Sequence, residues 1–287
     1  MIVTLTLNAA LYVQYRAERV RWGQRNDVRQ VRLRAGGRGL AVARMLHSFG
    51  HEVMAAGLAG GAAGEVIRTD LARSGVPNRF TAIGRESRRV TEVDDAASGT
   101  STRFAEPGPF ITTEEVGRLA ADYRALLAGA TAAVLCGSLP AGLPVDVYGT
   151  FATYAADAGV PAVVDAGGEP LRHVLSRRPA LVVPDPGDVD AALTAEGAGA
   201  VVWVAGGEVR AVTGEGEWRA GPAAGPEAPG SRHALVAGLV PGLVLGWSWP
   251  DRLRHAVALS AAATADGELD LARYEALLPQ VRICQAG

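Results

Sequence analysis

Short apolar runs recur along the chain, and each has the length of a β-strand. They are rich in β-branched or small residues and are mostly bounded by glycine or proline; they cover residues 2–7, 132–136, 162–165, 180–183 and 201–204. These runs are continuously apolar rather than alternating, which is typical of strands buried on both faces. The pattern therefore predicts a largely parallel sheet.

Segments of helical length lie between the apolar runs, at residues 39–49, 113–127, 145–158 and 251–265. Gly50 and Gly159 follow two of them, and glycine commonly ends a helix. Glu114 and Glu115 lie at the start of another, where acidic residues favour a helix N-terminus. Strands that alternate with helices at this spacing predict a doubly wound α/β sheet.

Two polar segments, residues 12–34 and 86–106, interrupt this rhythm. Both show local alternation of apolar and polar residues, and Ser98-Gly99 is a turn signal. We expect amphipathic antiparallel strands here, forming a small β-sheet lid on an otherwise single domain that spans residues 1–287. Lid pairing would make the protein a homodimer; ordinary surface hairpins are the alternative.

Composition and charge narrow the class of protein. The chain has 287 residues, of which 48% are hydrophobic and 20% charged, and this excludes global disorder. The net charge of -2 does not indicate the excess of basic residues that is typical of nucleic-acid-binding proteins. All 28 basic residues are arginine, which excludes a Schiff-base lysine and a phosphate-loop lysine. Two cysteines are too few for a disulfide framework or a zinc site.

No segment has the pattern of a membrane anchor or a secretory signal. The first residues lack a basic region and reach Asn8 quickly. The most apolar stretch, residues 234–249, is interrupted by Gly238, Pro241, Gly242 and Gly246 and is shorter than a membrane span. We therefore expect a cytoplasmic protein without a membrane partner.

Several segments, in order, resemble the PfkB (ribokinase-like) sugar kinases, and most closely their 1-phosphofructokinase and tagatose-6-phosphate kinase branch. They read TLTLNAAL, AGGRGLAVARMLHSFGHEV, GLAGGAAGEVI, EPGP, CGSLPAG, VVDAGGEPL and ALLPQV. No single motif is very specific, but the collinear set spans nearly the whole chain. The resemblance implies a ribokinase-like three-layer fold with a β-sheet lid. It also implies Mg²⁺-dependent transfer of the ATP γ-phosphoryl group to a hydroxyl of a sugar or sugar phosphate.

The resemblance assigns the substrate side to seven residues: Asn8, Tyr12, Gly36, Gly37, Arg38, Arg88 and Ser138. In the family the diglycine packs under the sugar; the alternative is a plain tight turn before a helix. Tyr12 stands where the family has a carboxylate that grips sugar hydroxyls. Arg88 is a candidate for a substrate phosphate or a solvated lid residue, whereas Glu92 stands at a lysine position and would repel phosphate.

The family's catalytic turn, Gly-Ala-Gly-Asp, corresponds here to Gly230-Ser231-Arg232-His233. His233 therefore stands at the position of the catalytic base. Its ordinary pKa of about 6.5 suits a general base, and the alternative is a relic with a structural role. Arg232 has two interpretations as well: it binds a phosphate through two nitrogens, or it fills the space that the phosphate would occupy.

The nucleotide side is also altered. Asp185 and Asp188 stand where the family has an asparagine and a glutamate that help to order Mg²⁺. They could hold the cation through water, and the alternative is an N-cap cluster. Gly206 marks the nucleotide turn, which lacks the family's serine, while Asp165 is retained. ATP and Mg²⁺ are thus implied by resemblance, without any residue assigned as a certain metal ligand.

Three functions remain open on the sequence. The first is a kinase with an unusual base, His233. The second is a catalytically silent paralogue that binds a sugar phosphate, a nucleotide or a protein partner. The third is a repurposed enzyme acting on a phosphorylated small molecule. The replaced base, anion-hole and sugar-gripping residues together favour weak or absent kinase activity, since each such loss alone costs about two to three orders of magnitude in rate.

Overall fold

The structure, a computed structural model, describes residues 1–194, 197–222, 231–264 and 268–286. Strands and helices alternate through most of this part of the chain. In chain order the elements are β1 (Ile2–Thr6), β2 (Ala10–Ala17), β3 (Gln30–Gly36), α1 (Arg38–Ser48), β4 (Val53–Ala59), α2 (Gly61–Arg73), β5 (Asn78–Ala82), β6 (Arg88–Asp95), β7 (Thr100–Ala105), α3 (Thr113–Leu127), β8 (Ala132–Cys136), α4 (Val147–Asp157), β9 (Ala162–Ala166), α5 (Gly168–Leu175), β10 (Leu181–Pro184), α6 (Val189–Thr194), β11 (Ala200–Ala205), β12 (Glu208–Thr213), β13 (Gly216–Pro222), α7 (Arg232–Leu245), α8 (Trp249–Ala262), α9 (Leu271–Leu277) and β14 (Val281–Ala286).

The large sheet has the strand order β14-β13-β12-β11-β10-β9-β8-β1-β4-β5. Neighbouring strands from β5 to β11 pair in parallel, whereas β12, β13 and β14 pair antiparallel. Helices α1, α2, α7 and α8 bury their apolar residues against one face, and α3, α4 and α5 against the other. The predicted doubly wound, ribokinase-like three-layer fold is therefore confirmed. The continuous apolar runs form strands because both faces of the sheet are covered.

A separate four-stranded sheet, the lid, has the order β3-β2-β6-β7. The β2–β3 and β6–β7 pairs are antiparallel, but the central β2–β6 pair is parallel. The prediction of antiparallel strands is wrong for this central pair. The physical reason is the route of the chain: β1 leads into β2 and β5 leads into β6, and β1 and β5 run in the same direction in the large sheet.

Polar contacts fix the start of α7 against α8. The Ser231 side chain caps α7 by accepting from the Ala234 amide at 3.4 Å. The Ser231 amide donates to the Ser260 carbonyl, and the Ser260 hydroxyl donates back to the Ser231 carbonyl, both at 3.0 Å. Farther along, a Cβ at Gly238 would lie 2.5 Å from the Cα of Ala256, so the two helices meet backbone to backbone. The residues that follow Ser231 are thus held in a defined place.

The most apolar stretch of the sequence forms α7 and the start of α8. Helix α7 has 14 residues and contains Pro241. Among the helices of the described ranges, none combines the length and the hydropathy that crossing a membrane would take.

His255 on α8 lies in a buried aromatic cluster. Its Nδ1 is 2.6 Å from the Tyr274 hydroxyl, and its ring meets Phe49 and Trp247 edge to face. Burial, with a smaller contribution from His51, lowers the pKa of His255 to about 4. The unfolded chain, with a histidine pKa of about 6.5, therefore binds more protons than the folded chain between these two values. Stability is lost as the pH falls through this window.

We expect His255→Gln to remove this part of the acid sensitivity. At about pH 4.5 the wild-type histidine costs about 2–3 kcal/mol of unfolding free energy relative to neutral pH. Urea unfolding at the two pH values measures the difference. The control is His173→Gln, which changes an exposed histidine. An identical pH dependence of wild type and His255→Gln would contradict the prediction.

Candidate functional site

A cavity of about 660 Å³ lies between the lid and the carboxyl edge of the large sheet. Tyr12 and Gln14 of β2 line it from the lid. Thr6 and Cys136 line it at the ends of β1 and β8, and Arg38 lines it at the start of α1. The carboxyl ends of parallel strands are where ligands collect in doubly wound sheets, so this position is that of a ligand site.

The structure brings the predicted substrate-side residues together. The cavity is lined by every one of them: Asn8, Tyr12, Gly36, Gly37, Arg38, Arg88 and Ser138. His233 also lines the cavity, whereas Asp185, Asp188, Gly206, Ser231 and Arg232 are not among its described lining residues. Gly230 lies outside the described residues. The predicted substrate-side residues thus line one cavity, and the described residues predicted for the nucleotide side do not line it.

Asn8 is one of the residues that line this cavity. Its Nδ2 donates to the Ser138 hydroxyl at 3.2 Å, and its backbone carbonyl accepts from Arg88 Nε at 3.3 Å. Its Oδ1 is buried and has no hydrogen-bond partner in the part of the chain that the structure describes. A buried amide oxygen ordinarily takes a donor, and this one lies against Gly108, where a Cβ would be 2.6 Å away.

Tyr12 covers the glycine surface. A Cβ at Gly36 would overlap the Tyr12 ring, so the ring rests directly on the Gly36 backbone. Arg103 lies over the ring, with its guanidinium carbon 5.9 Å from the ring centroid. The position from which a carboxylate would grip sugar hydroxyls thus holds an aromatic ring. This ring reduces the space next to the diglycine.

Arginines outnumber acids among the described residues that line the cavity. The arginines are Arg32, Arg34, Arg38, Arg44, Arg88 and Arg103, and the acids are Asp70, Glu92 and Glu268. Burial, followed by the charge of Arg34, lowers the pKa of Arg44 to about 10, and Asp70 partly offsets this. Arg44 therefore stays charged at neutral pH, and the cavity as a whole favours an anion.

Glu92, which the sequence led us to expect to repel phosphate, is paired with Arg103. The Glu92 carboxylate accepts from Arg103 Nη2 at 2.7 Å and from Arg103 Nε at 3.0 Å. This two-nitrogen ion pair compensates the negative charge across the β6–β7 ladder. Glu92 is therefore compatible with an anionic ligand.

Arg232 turns back onto the ends of β9 and β10. Its Nε donates to Asp165 Oδ1 at 2.7 Å, its Nη1 to the Pro184 carbonyl at 2.8 Å and its Nη2 to the Val183 carbonyl at 2.7 Å. Nη2 also lies 2.6 Å from Asp165 Oδ1 and 3.3 Å from Asp185 Oδ1. A guanidinium has five N–H donors, and these contacts engage most of them. The side chain therefore fills space at the strand ends and has little capacity left for a phosphate.

Arg38 completes this ion cluster from the other side. Its Nη1 donates to Asp185 Oδ1 at 3.0 Å and its Nη2 to Asp185 Oδ2 at 3.4 Å. Its Nη1 also reaches Asp165 Oδ1 at 3.4 Å. Burial works against the Arg38 charge, but Asp165 and Asp185 outweigh it and raise the pKa of Arg38. A residue predicted for the substrate side therefore binds the acids of the nucleotide side.

The acids do not offer a metal site as they stand. Asp185 is engaged by Arg38 and Arg232. Asp188 Oδ2 accepts from the Gly168 amide at 2.8 Å, and its Oδ1 lies 3.8 Å from Arg172. Across the described ranges, no group of three or more His, Cys, Asp or Glu side chains could hold a metal ion. The residues present do not fit Mg²⁺, which prefers several free oxygen ligands.

His233 presents a neutral imidazole to the cavity. Burial lowers its pKa, and Asp165 offsets part of this effect. Its Nδ1 is buried and finds no hydrogen-bond partner among the described residues. A neutral imidazole keeps a lone pair on one of its two ring nitrogens, so His233 is able to accept a proton and has the chemistry of a general base.

The remaining nucleotide-side residues have local structural roles. Ser231 caps α7. Gly206 and Gly207 form the turn between β11 and β12, with φ angles of 60° and 81° that favour glycine. The positive φ angles of this turn account for the two glycines, and no contact with a nucleotide is needed to explain them.

Sequence reasoning missed Thr6 and Cys136, which line the cavity and lie in register with Asp165. Thr6, Cys136 and Asp165 are register partners across β1, β8 and β9. Thr6 Oγ1 and Asp165 Oδ2 are buried, and the described chain offers neither of them a hydrogen-bond partner. Each residue stands at the carboxyl end of an apolar run, and that shared position was the available signal.

Comparison with known proteins gives a match to one family. The model of the pfkB family carbohydrate kinases matches residues 6–200. Tagatose-6-phosphate kinase of Staphylococcus epidermidis is 32% identical over 187 residues, which are 64% of this chain and 60% of that protein. The matched part of the chain thus spans about three fifths of the length of this curated relative.

Solved structures match over almost the full length. Phosphofructokinase-2 from Escherichia coli in complex with potassium has a TM-score of 0.87 and 25% identity, with 97% of this chain and 98% of that chain covered. The same enzyme in complex with fructose-6-phosphate has a TM-score of 0.86 and 24% identity, at the same coverage. The fold, the order of the motifs and the family match lead to one conclusion: this chain belongs to the pfkB family of carbohydrate kinases.

Proposed function

We propose that this protein binds a phosphorylated sugar in the cavity between lid and sheet and transfers phosphoryl groups weakly or not at all. The observation that carries the proposal is the position of Arg232. Its guanidinium is bound to Asp165 and to the carbonyls at the end of β10. By resemblance, this is the turn that would bind the transferred phosphate.

The ligand class follows from the cavity. Its arginine excess favours an anion, and Arg88 lies beside Asn8 and Ser138 on the same wall. The Ser138 hydroxyl and the Asn8 amide supply polar groups for the hydroxyls of a ligand. A molecule with a phosphate and neighbouring hydroxyls matches both features. The relatives named above carry sugar phosphates in their names or as bound ligands.

Weak transfer follows from three requirements of phosphoryl transfer: a positioned nucleotide, neutralisation of the developing charge and a base for the attacking hydroxyl. Asp165 and Asp185 are neutralised by arginines, and the guanidinium charges oppose the binding of Mg²⁺ beside them. The base position holds His233, and no other residue replaces the family's carboxylate there. ATP binding is therefore expected to be weak.

A second candidate function is phosphoryl transfer with His233 as the base. It is favoured by one observation: the neutral imidazole lines the cavity and its Nδ1 lacks a partner in the described ranges. In this case the attacking hydroxyl would donate its proton to His233. The two candidates share the same sugar-phosphate site and differ only in turnover.

We also propose a homodimer formed through the lid. Val31 and Leu33 of β3 and Phe104 of β7 are each about half exposed, at 51%, 48% and 51%. Apolar side chains on a sheet edge are more stable when they are covered. A monomeric mass in light scattering would contradict this assembly.

Binding is tested by isothermal titration with fructose-6-phosphate in the absence of metal and nucleotide. We expect Arg88→Ala to weaken the affinity about 10- to 100-fold, because a charge-assisted hydrogen bond is lost. The matched control, Arg73→Ala, removes an exposed arginine at the end of α2. If wild type fails to bind, or if Arg88→Ala binds like Arg73→Ala, the proposed site is wrong.

Transfer is tested by sugar-dependent release of ADP from MgATP. The proposal predicts a rate that His233→Ala leaves unchanged. The second candidate predicts a rate that falls about 10²–10⁴-fold in His233→Ala. His173→Ala, a change of an exposed histidine, is the control. The two outcomes separate a binding protein from an altered kinase.

A further inference from the structure

The ends of β9 and β10 bring two carboxylates together. Asp165 pairs with Val183 in the sheet register, and Asp185 follows directly after β10. Asp165 has no exposed surface. Its Oδ2 is buried without a partner among the residues that the structure describes. A fully buried carboxylate requires a positive partner, and its unused oxygen is still able to accept a further ligand.

The oxygens at this position are those that a hard cation would use. Arg232 binds Asp165 Oδ1 and the carbonyls of Val183 and Pro184, and it lies 3.3 Å from Asp185 Oδ1. Carboxylate and carbonyl oxygens are the protein ligands of Mg²⁺ and Mn²⁺. The guanidinium therefore occupies the centre of an oxygen set with the chemistry of a divalent-cation site.

With Arg232 in place, the charges of the four side chains at the strand ends sum to zero. Arg38 and Arg232 carry two positive charges, and Asp165 and Asp185 carry two negative ones. A divalent cation added to this cluster would meet two guanidinium groups within a few ångströms and no net negative charge. Without Arg232, the two carboxylates would outweigh Arg38, and the two carbonyls would be free.

We propose that the Asp165–Asp185 pair is a divalent-cation site that this chain fills with its own arginine, and that it takes Mg²⁺ or Mn²⁺ only when Arg232 is removed. The start of α7 is then bound to the sheet in the absence of any ligand. The positive charge next to Asp165 is then part of the protein itself and does not depend on the concentration of a cation. This inference concerns the strand ends and does not depend on which ligand binds in the cavity.

The backbone contacts next to Arg232 determine where its guanidinium lies. Ser231 caps α7 and is bound to Ser260, so the residue after it leaves the helix start in a defined direction. The long arginine side chain then spans from α7 to the two strands. Ser231 and Ser260 thus hold the backbone, and the guanidinium makes the contacts.

The test is a Mn²⁺ titration followed by electron paramagnetic resonance, which reports free Mn²⁺ directly. We expect wild type and Arg73→Ala to bind no Mn²⁺ up to millimolar concentration. Arg232→Gln and Arg232→Ala should bind one Mn²⁺ at least about tenfold more tightly, since one neighbouring positive charge is gone. Adding Asp165→Asn to Arg232→Gln should abolish the gain.

Two outcomes would overturn the proposal. The first is wild-type protein that binds Mn²⁺ below millimolar concentration, a result that does not depend on whether the variants fold. The second is a folded Arg232→Gln, verified by circular dichroism, that binds no Mn²⁺; Arg232 would then be a structural ion pair alone. The metal-free titration with fructose-6-phosphate is a separate measurement, so failure here leaves the proposed sugar-phosphate site standing.

Discussion

The ion pair between Arg232 and Asp165 is the interaction on which the geometry of the strand ends depends. Asp165 has no contact with solvent, so its charge requires a partner within the protein. Arg232 supplies that partner at 2.6 Å and also binds two carbonyls of the neighbouring strand. Arg38 reaches the same Asp165 oxygen at 3.4 Å, so loss of Arg232 would leave the buried carboxylate with the more distant of its two partners. Helix α7 and the carboxyl edge of the sheet are thus coupled through one side chain.

This coupling divides the site into two unequal halves. On the lid side, Asn8, Ser138 and Arg88 face a cavity that offers hydrogen bonds and positive charge. On the other side, the acids at the strand ends are already paired with Arg38 and Arg232. The family fold is retained in full, while the acids at the strand ends are paired with arginines inside the protein. A binding function is compatible with the first half and does not need the second.

The fold could be predicted from the sequence, whereas the internal contacts of the site could not. Continuous apolar runs and collinear motifs were sufficient for the three-layer sheet, because burial on both faces leaves a local signature. The parallel β2–β6 pair depends on the route of the chain between distant strands, which no local pattern records. Arg232 was open to two interpretations because its partners, Asp165 and Val183, are remote in sequence. For Tyr12, the sequence gives the side chain but not its direction over Gly36.

The most direct measurement of the central claim is nitrogen-15 NMR of the arginine Nε–H groups, with Arg232→Gln used for assignment. A guanidinium held by Asp165 and two carbonyls has an Nε–H that exchanges slowly with water and gives a distinct signal. The account predicts such a signal for Arg232, unchanged when MgATP is added to millimolar concentration. A rapidly exchanging Arg232, or a signal that shifts in a saturable manner with MgATP, would contradict it.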